Sequence, residues 1–101
     1  MEVPDYDRAE SYFKETLRLQ PRNRVAMYQL SKLNYQQGNY AQAQSYIRDF
    51  EDVSPHTPIS LWMAYQIESQ LGNAKIAKSY AQMLVNQFPD SEEAKRVASL
   101  R

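Results

Sequence analysis

The chain contains no cysteine, only two glycines, one histidine and no excess of either charge. Without cysteine there is no disulfide, no thiol nucleophile and no zinc-thiolate site, and the compartment stays open, periplasmic or cytosolic. Twelve basic residues balance twelve acidic ones, so no net field steers the protein onto nucleic acid or an anionic membrane. No apolar run approaches the length of a membrane span, and the opening MEVPDYDRAE is neither a signal sequence nor a lipidation site. The lone His56, in Pro55-His56-Thr57-Pro58, has no second histidine to make a metal site and reads as a solvated loop residue. There is no phosphate-binding glycine loop, nucleophile elbow or zinc spacing. Asp49/Glu51/Asp52 and Asp90/Glu92/Glu93 sit at helix ends: the first group calls for a basic partner and the second reads as capping. No metal, no cofactor and no catalysis are expected.

What the chain does have is repetition. AESYF at 9–13, AQSYI at 43–47 and AKSYA at 77–81 stand 34 positions apart, as do Pro21, Pro55 and Pro89, and the two Gly-Asn pairs at Gly38 and Gly72. A fixed period of this size marks a solenoid, whose unit cannot bury its own apolar face and must stack on copies of itself. With 43% hydrophobic residues and no low-complexity stretch, a single folded domain over 1–101 is expected.

Apolar positions between the punctuating residues recur at helical spacing. Met27, Leu30, Ser31 and the bend at Gly38 outline a helix over about 23–37. Tyr40, Ala43, Tyr46/Ile47 and Phe50 form one stripe of a helix over 40–53, stopped by Ser54-Pro55. The plan repeats as helices over about 59–71 and 74–87, each glycine supplying the left-handed residue that closes a bend. Residues 5–19 carry Tyr6, Ala9, Phe13 and Thr16 at the phases of the second helix, so the chain is expected to start mid-repeat. A short helix over 91–100, capped by Asp90 or Ser91 with Glu93 reaching back, is expected to cover the far end. The resulting units are 5–21 (a second helix), 24–57 and 58–91 (full repeats) and 91–101 (a capping helix).

A 34-residue helix-turn-helix with Gly38, Tyr40, Ala43 and Pro55 in one unit and Gly72, Ala74, Ala77 and Pro89 in the next resembles the tetratricopeptide repeat, TPR. The resemblance implies an all-α fold, a right-handed superhelix of antiparallel helix pairs. Asn34 and Glu68 stand where that pattern has a large apolar residue and Tyr65 where it has a small one, which questions the local packing of the first helices. A narrower likeness rests on the order SLW, LGN, SYA, NQFPDS within 60–97. It is similar to the carboxy-terminal repeats of the PilF/PilW family of type IV pilus biogenesis. That resemblance implies a periplasmic pilotin, a lipoprotein at the inner leaflet of the bacterial outer membrane that helps a secretin assemble or stabilises pili. The chain then corresponds to a carboxy-terminal fragment, without the lipidated cysteine.

In such a stack a second stripe of each first helix lines a concave groove. Here that stripe is Val25, Tyr28, Lys32, Tyr35 and Gln36, then Ile59, Trp62, Gln66, Ser69 and Gln70. Tyr28 and Trp62 share a phase and are expected side by side, able to anchor an apolar side chain of a peptide. Trp62 reads equally as a filler between helices. Tyr12, Tyr46 and Tyr80, identical in phase on the second helices, read as structural. A clamp for a terminal carboxylate is not expected, because Tyr28 and Trp62 take the places of its lysine and asparagine. The functional expectation is a protein or peptide scaffold, with a generic TPR adaptor as the alternative. RNA binding is disfavoured by the neutral charge and the period of 34. Self-association through the uncovered stripe of residues 5–19 is also expected.

Overall fold

The computed structural model describes residues 5–100; the ends of the expected domain, 1–4 and 101, lie outside them. Six helices and no strand occur among the described residues: α1 (Tyr6–Leu19), α2 (Arg24–Gln36), α3 (Tyr40–Val53), α4 (Pro58–Gln70), α5 (Ala74–Gln87) and α6 (Glu92–Ser99). The chain divides into two compact units, with the break between Ser54 and Pro55.

In the first unit α2 packs against both α1 and α3. Asp5 and Asn23 start α1 and α2, each accepting from the backbone N–H three residues on, at 2.9 Å. Leu30, Ala43 and Ile47 are fully buried where α2 meets α3, and closing water off from a leucine or isoleucine side chain contributes about 1.5–3 kcal/mol each. Ser31 Oγ donates to the Ala43 carbonyl at 2.8 Å, a close approach of two helices that only small residues permit. The bend reverses the chain at Gly38, φ 80°, and Asn39 N–H reaches back to the Asn34 carbonyl at 2.8 Å, the six-residue closure that ends a helix on a left-handed residue.

The second unit repeats the plan with α4 and α5 and adds α6, which packs on both. Pro58 is the first residue of α4, one earlier than expected. Thr57 Oγ1 accepts from Ser60 N–H at 3.1 Å and Ser60 Oγ from Thr57 N–H at 2.7 Å, a reciprocal cap made with serine. Leu61, Ala64, Ile67 and Leu84 are fully buried. The Gly72 bend has φ 79° and the same closure, Asn73 N–H to the Glu68 carbonyl at 2.9 Å. Ser91 caps α6 through Ala94 N–H at 3.0 Å, with Glu92 and Glu93 in the first turn.

The polar residues at apolar positions are resolved by local bonds. Asn34 Nδ2 donates to the Leu30 carbonyl at 2.8 Å, and Glu68, only 1% exposed, accepts from Asn73 Nδ2 at 2.7 Å. No described buried side-chain nitrogen or oxygen lacks a partner. Packing is intact because the end of each first helix offers backbone and bend groups for a polar side chain to meet.

Two expectations are corrected. His56 is half-buried rather than solvated: its Nδ1 lies 2.8 Å from Ser60 Oγ, and its ring meets that of Tyr80 edge-on at 5.7 Å. The three equivalent tyrosines also differ. Tyr80 is 8% exposed beneath His56, Tyr46 is half-buried, and Tyr12 is 67% exposed. The phase places the ring, but only a neighbouring loop covers it, and no described segment stands over Tyr12 as His56 stands over Tyr80.

Candidate functional site

On α2, the residues buried against neighbouring helices are Ala26, Met27, Leu30, Ser31 and Asn34. The five expected groove residues of this helix fall on the remaining surface. Val25, 59% exposed, and the exposed Lys32 and Gln36 face water, while Tyr28 and Tyr35 are half-buried. The Tyr35 ring rests against Tyr40 of α3, centroids 5.4 Å apart. The stripe therefore offers two half-buried aromatic rings, one of them held against α3, and a lysine between them in sequence. Such rings present large apolar area at little entropic cost, the property that makes tyrosine frequent in binding surfaces.

On α4 the pattern is similar but more tightly built. Ile59 is 53% exposed, Ser69 and Gln70 are exposed, and Trp62 and Gln66 are half-buried. Trp62 stacks on Tyr65, with centroids at 5.6 Å and planes 22° apart, while the Arg96 guanidinium of α6 lies 6.0 Å from the Trp62 ring. A guanidinium over an indole face is attracted by the ring quadrupole. Trp62 is thus both part of the α4–α6 packing and still half open, so neither of its two readings excludes the other.

Tyr65 and Arg96 were not among the expected binding residues. Tyr65 occupies the place of Ser31 one repeat later, and a ring of that size does not fit the slot where Ser31 meets Ala43. It lies half-exposed along α4 instead, against Trp62. The sequence carries that signal as a large residue at a small-residue position; the Arg96 contact has no such signal, because it depends on where α6 docks.

No group of three or more His, Cys, Asp or Glu that could hold a metal ion occurs among the described residues, and no helix there is long and apolar enough to cross a membrane. Glu15 and Arg18 form an exposed ion pair on α1, away from both stripes.

Repeated helix pairs, closed by glycine bends and carrying half-open aromatic stripes on their first helices, define a helical-repeat protein. Models of the tetratricopeptide repeat match residues 4–51 and 60–91. The chain belongs to the tetratricopeptide-repeat family. Its fold is similar to the crystal structure of PilW, a widely conserved type IV pilus biogenesis factor, with a TM-score of 0.86 and 30% identity over 92% of this chain and 43% of that one. It is likewise similar to PilF of Pseudomonas aeruginosa, TM-score 0.82, with 22% identity over 91% of this chain and 41% of that one. The chain thus spans less than half the length of either structure. No curated protein sequence matches it.

Proposed function

We propose that the chain is a non-catalytic interaction scaffold of type IV pilus biogenesis, acting as a pilotin that assists secretin assembly or pilus stability. The observation that carries this reading is the 30% identity to PilW over 92% of the chain at a TM-score of 0.86. The half-open stripes Val25, Tyr28, Lys32, Tyr35, Gln36 and Ile59, Trp62, Gln66, Ser69, Gln70 are the proposed contact residues. Their rings take an apolar side chain of the partner, and Lys32 and the glutamines orient its backbone. The place of action is the periplasm, with the working protein held to the outer membrane by a lipid outside this segment.

Isothermal titration of the chain with the periplasmic domains of a type IV pilus secretin tests the proposal. Binding that weakens about tenfold or more in Tyr28→Ala and in Trp62→Ala, the effect of removing an aromatic anchor, is the expected result. Absence of binding to the secretin, with capture of a different assembly component through the same residues, replaces the pilotin by a general TPR adaptor.

A further inference from the structure

Acidic residues are unevenly placed along the chain. None occurs between Glu15 and Asp49, and from Val53 to Pro89 there is one, Glu68, which is 1% exposed and bonded to Asn73. The others lie before residue 16, at the end of α3 and around the start of α6. Helices α2 and α4, which carry the two aromatic stripes, therefore present no carboxylate to solvent along their 13 residues each, while α2 presents Arg24 and Lys32. In a chain with as many acids as bases, the stripe-bearing helices are thus cationic or uncharged. Such a surface admits an acidic segment and gives a basic one nothing to pair with.

In the second unit the cation at the stripe comes from another helix. Glu92 and Glu93 precede Arg96 by four and three residues, the spacing at which opposite charges on a helix meet. Glu92 pairs with Lys95 instead, at 3.9 Å, and the Arg96 guanidinium lies over Trp62, 6.0 Å from the ring centroid. Trp62 in turn stacks on Tyr65; both rings are half-buried and Arg96 is exposed. The result is one guanidinium fixed beside open aromatic surface, on a helix face without carboxylates. A guanidinium meets a ring through its charge and a carboxylate through its N–H fork, so the two contacts are compatible. A nucleic acid backbone would call for a series of cations, which one arginine in a chain of zero net charge does not supply.

The geometry points to Trp62, Tyr65 and Arg96 as a recognition site for an acidic segment of a partner protein, one in which an aromatic or proline ring stands next to Asp or Glu. The partner's ring lies on the Trp62–Tyr65 surface and its carboxylate meets the Arg96 guanidinium. The rings supply most of the affinity, and the cation chooses among partners. This inference rests on the reading of the stripe as a contact surface and names the chemistry that the stripe accepts.

The test is selection of phage-displayed random peptides of about ten residues, which extended are longer than α4, on the chain and on Arg96→Gln, an exposed change whose fold is checked by circular dichroism. The chain is expected to enrich sequences with Asp or Glu next to Phe, Tyr, Trp or Pro; on Arg96→Gln the preference for rings persists and that for acids is lost. A selected peptide and its version with Gln for each acid are then titrated against the emission of Trp62, the single tryptophan. Arg96→Gln should weaken the acidic peptide about threefold to fivefold and leave the neutral one unchanged. Equal weakening of both means that Arg96 only holds α6 in place, and overturns the proposal. No enriched sequence, enrichment of rings without acids, or enrichment of basic residues also overturns it. So does a dimer of the chain that Arg96→Gln disperses, or a uridine oligonucleotide that binds through Arg96, since the occupant is then a second copy or nucleic acid. Failure to bind a secretin removes the pilotin reading and leaves this one standing, whereas a secretin bound through Trp62 without preference for acids does the reverse.

Discussion

Asn34 and Glu68 hold the same place in successive repeats and satisfy it with different atoms. The asparagine turns its amide back to its own helix, whereas the glutamate takes the amide of Asn73 across the bend. Asn73→Ala removes that donor from a buried carboxylate and is expected to cost about 1–3 kcal/mol in urea unfolding. Adding Glu68→Leu recovers part of the loss, so a double-mutant cycle with purely additive terms would contradict the coupling. At the bends, Gly38 and Gly72 have positive φ and no atom within 4 Å of an added Cβ. Gly72→Ala is therefore expected to cost about 1–2 kcal/mol from backbone strain alone, and Gly72→Asn less, as measured by the same unfolding. On α1, the Arg18 guanidinium bonded to Glu15 holds that carboxyl below its ordinary value. A depressed folded value means the pair contributes above the unfolded pKa and is lost as pH falls through the folded one. Both groups are exposed, so the effect belongs to titration rather than stability. Arg18→Ala is expected to return Glu15 toward an ordinary carboxylate in an NMR pH series.

At the scale of helices, α1 stands apart because none of its residues is buried. Its Phe13 and Thr16 are half-buried where their counterparts Ile47 and Phe50 on α3 are buried. Hydrogen exchange is therefore expected to open α1 at lower free energy than α3 or α5, and equal protection of the three would refute this. Light scattering over rising concentration tests the self-association expected of its open stripe; a constant monomer mass rejects it. Leu84→Ala, in contrast, empties a fully enclosed site in α5 and should cost about 2–5 kcal/mol. The helices themselves were legible in the sequence because proline, glycine and apolar spacing act on the backbone locally. The exposure of Tyr12 and the ring contacts of His56 and Arg96 were not, since they depend on where other helices dock. The surroundings of Tyr65 were half legible: it could be seen to be too large for its position, but that its ring would lie against Trp62 could not.

For the whole molecule, zero net charge conceals an uneven distribution. Helix α3 carries Arg48 with Asp49, Glu51 and Asp52, while α5 carries two lysines and no acid. Binding at the proposed aromatic stripes should nevertheless respond little to salt. Contacts made by Tyr28 and Trp62 depend mainly on apolar area and should weaken little between low and physiological ionic strength. Titrations at two salt concentrations check this, and a strongly salt-dependent aromatic stripe would mean that the charges, not the rings, dominate binding there.

The open space at the bends bears on which changes such a chain tolerates. Helix closure is completed by the N–H of Asn39 and of Asn73, while a Cβ added at either bend glycine would meet no atom within 4 Å. A change of side chain there reaches open space, whereas a change of length between Asn34 and Asn39 or between Glu68 and Asn73 breaks the closure and, in the second repeat, the bond to the buried Glu68. Each bend is thus a clasp of fixed length, at which a repeat can be relabelled on its surface but not lengthened.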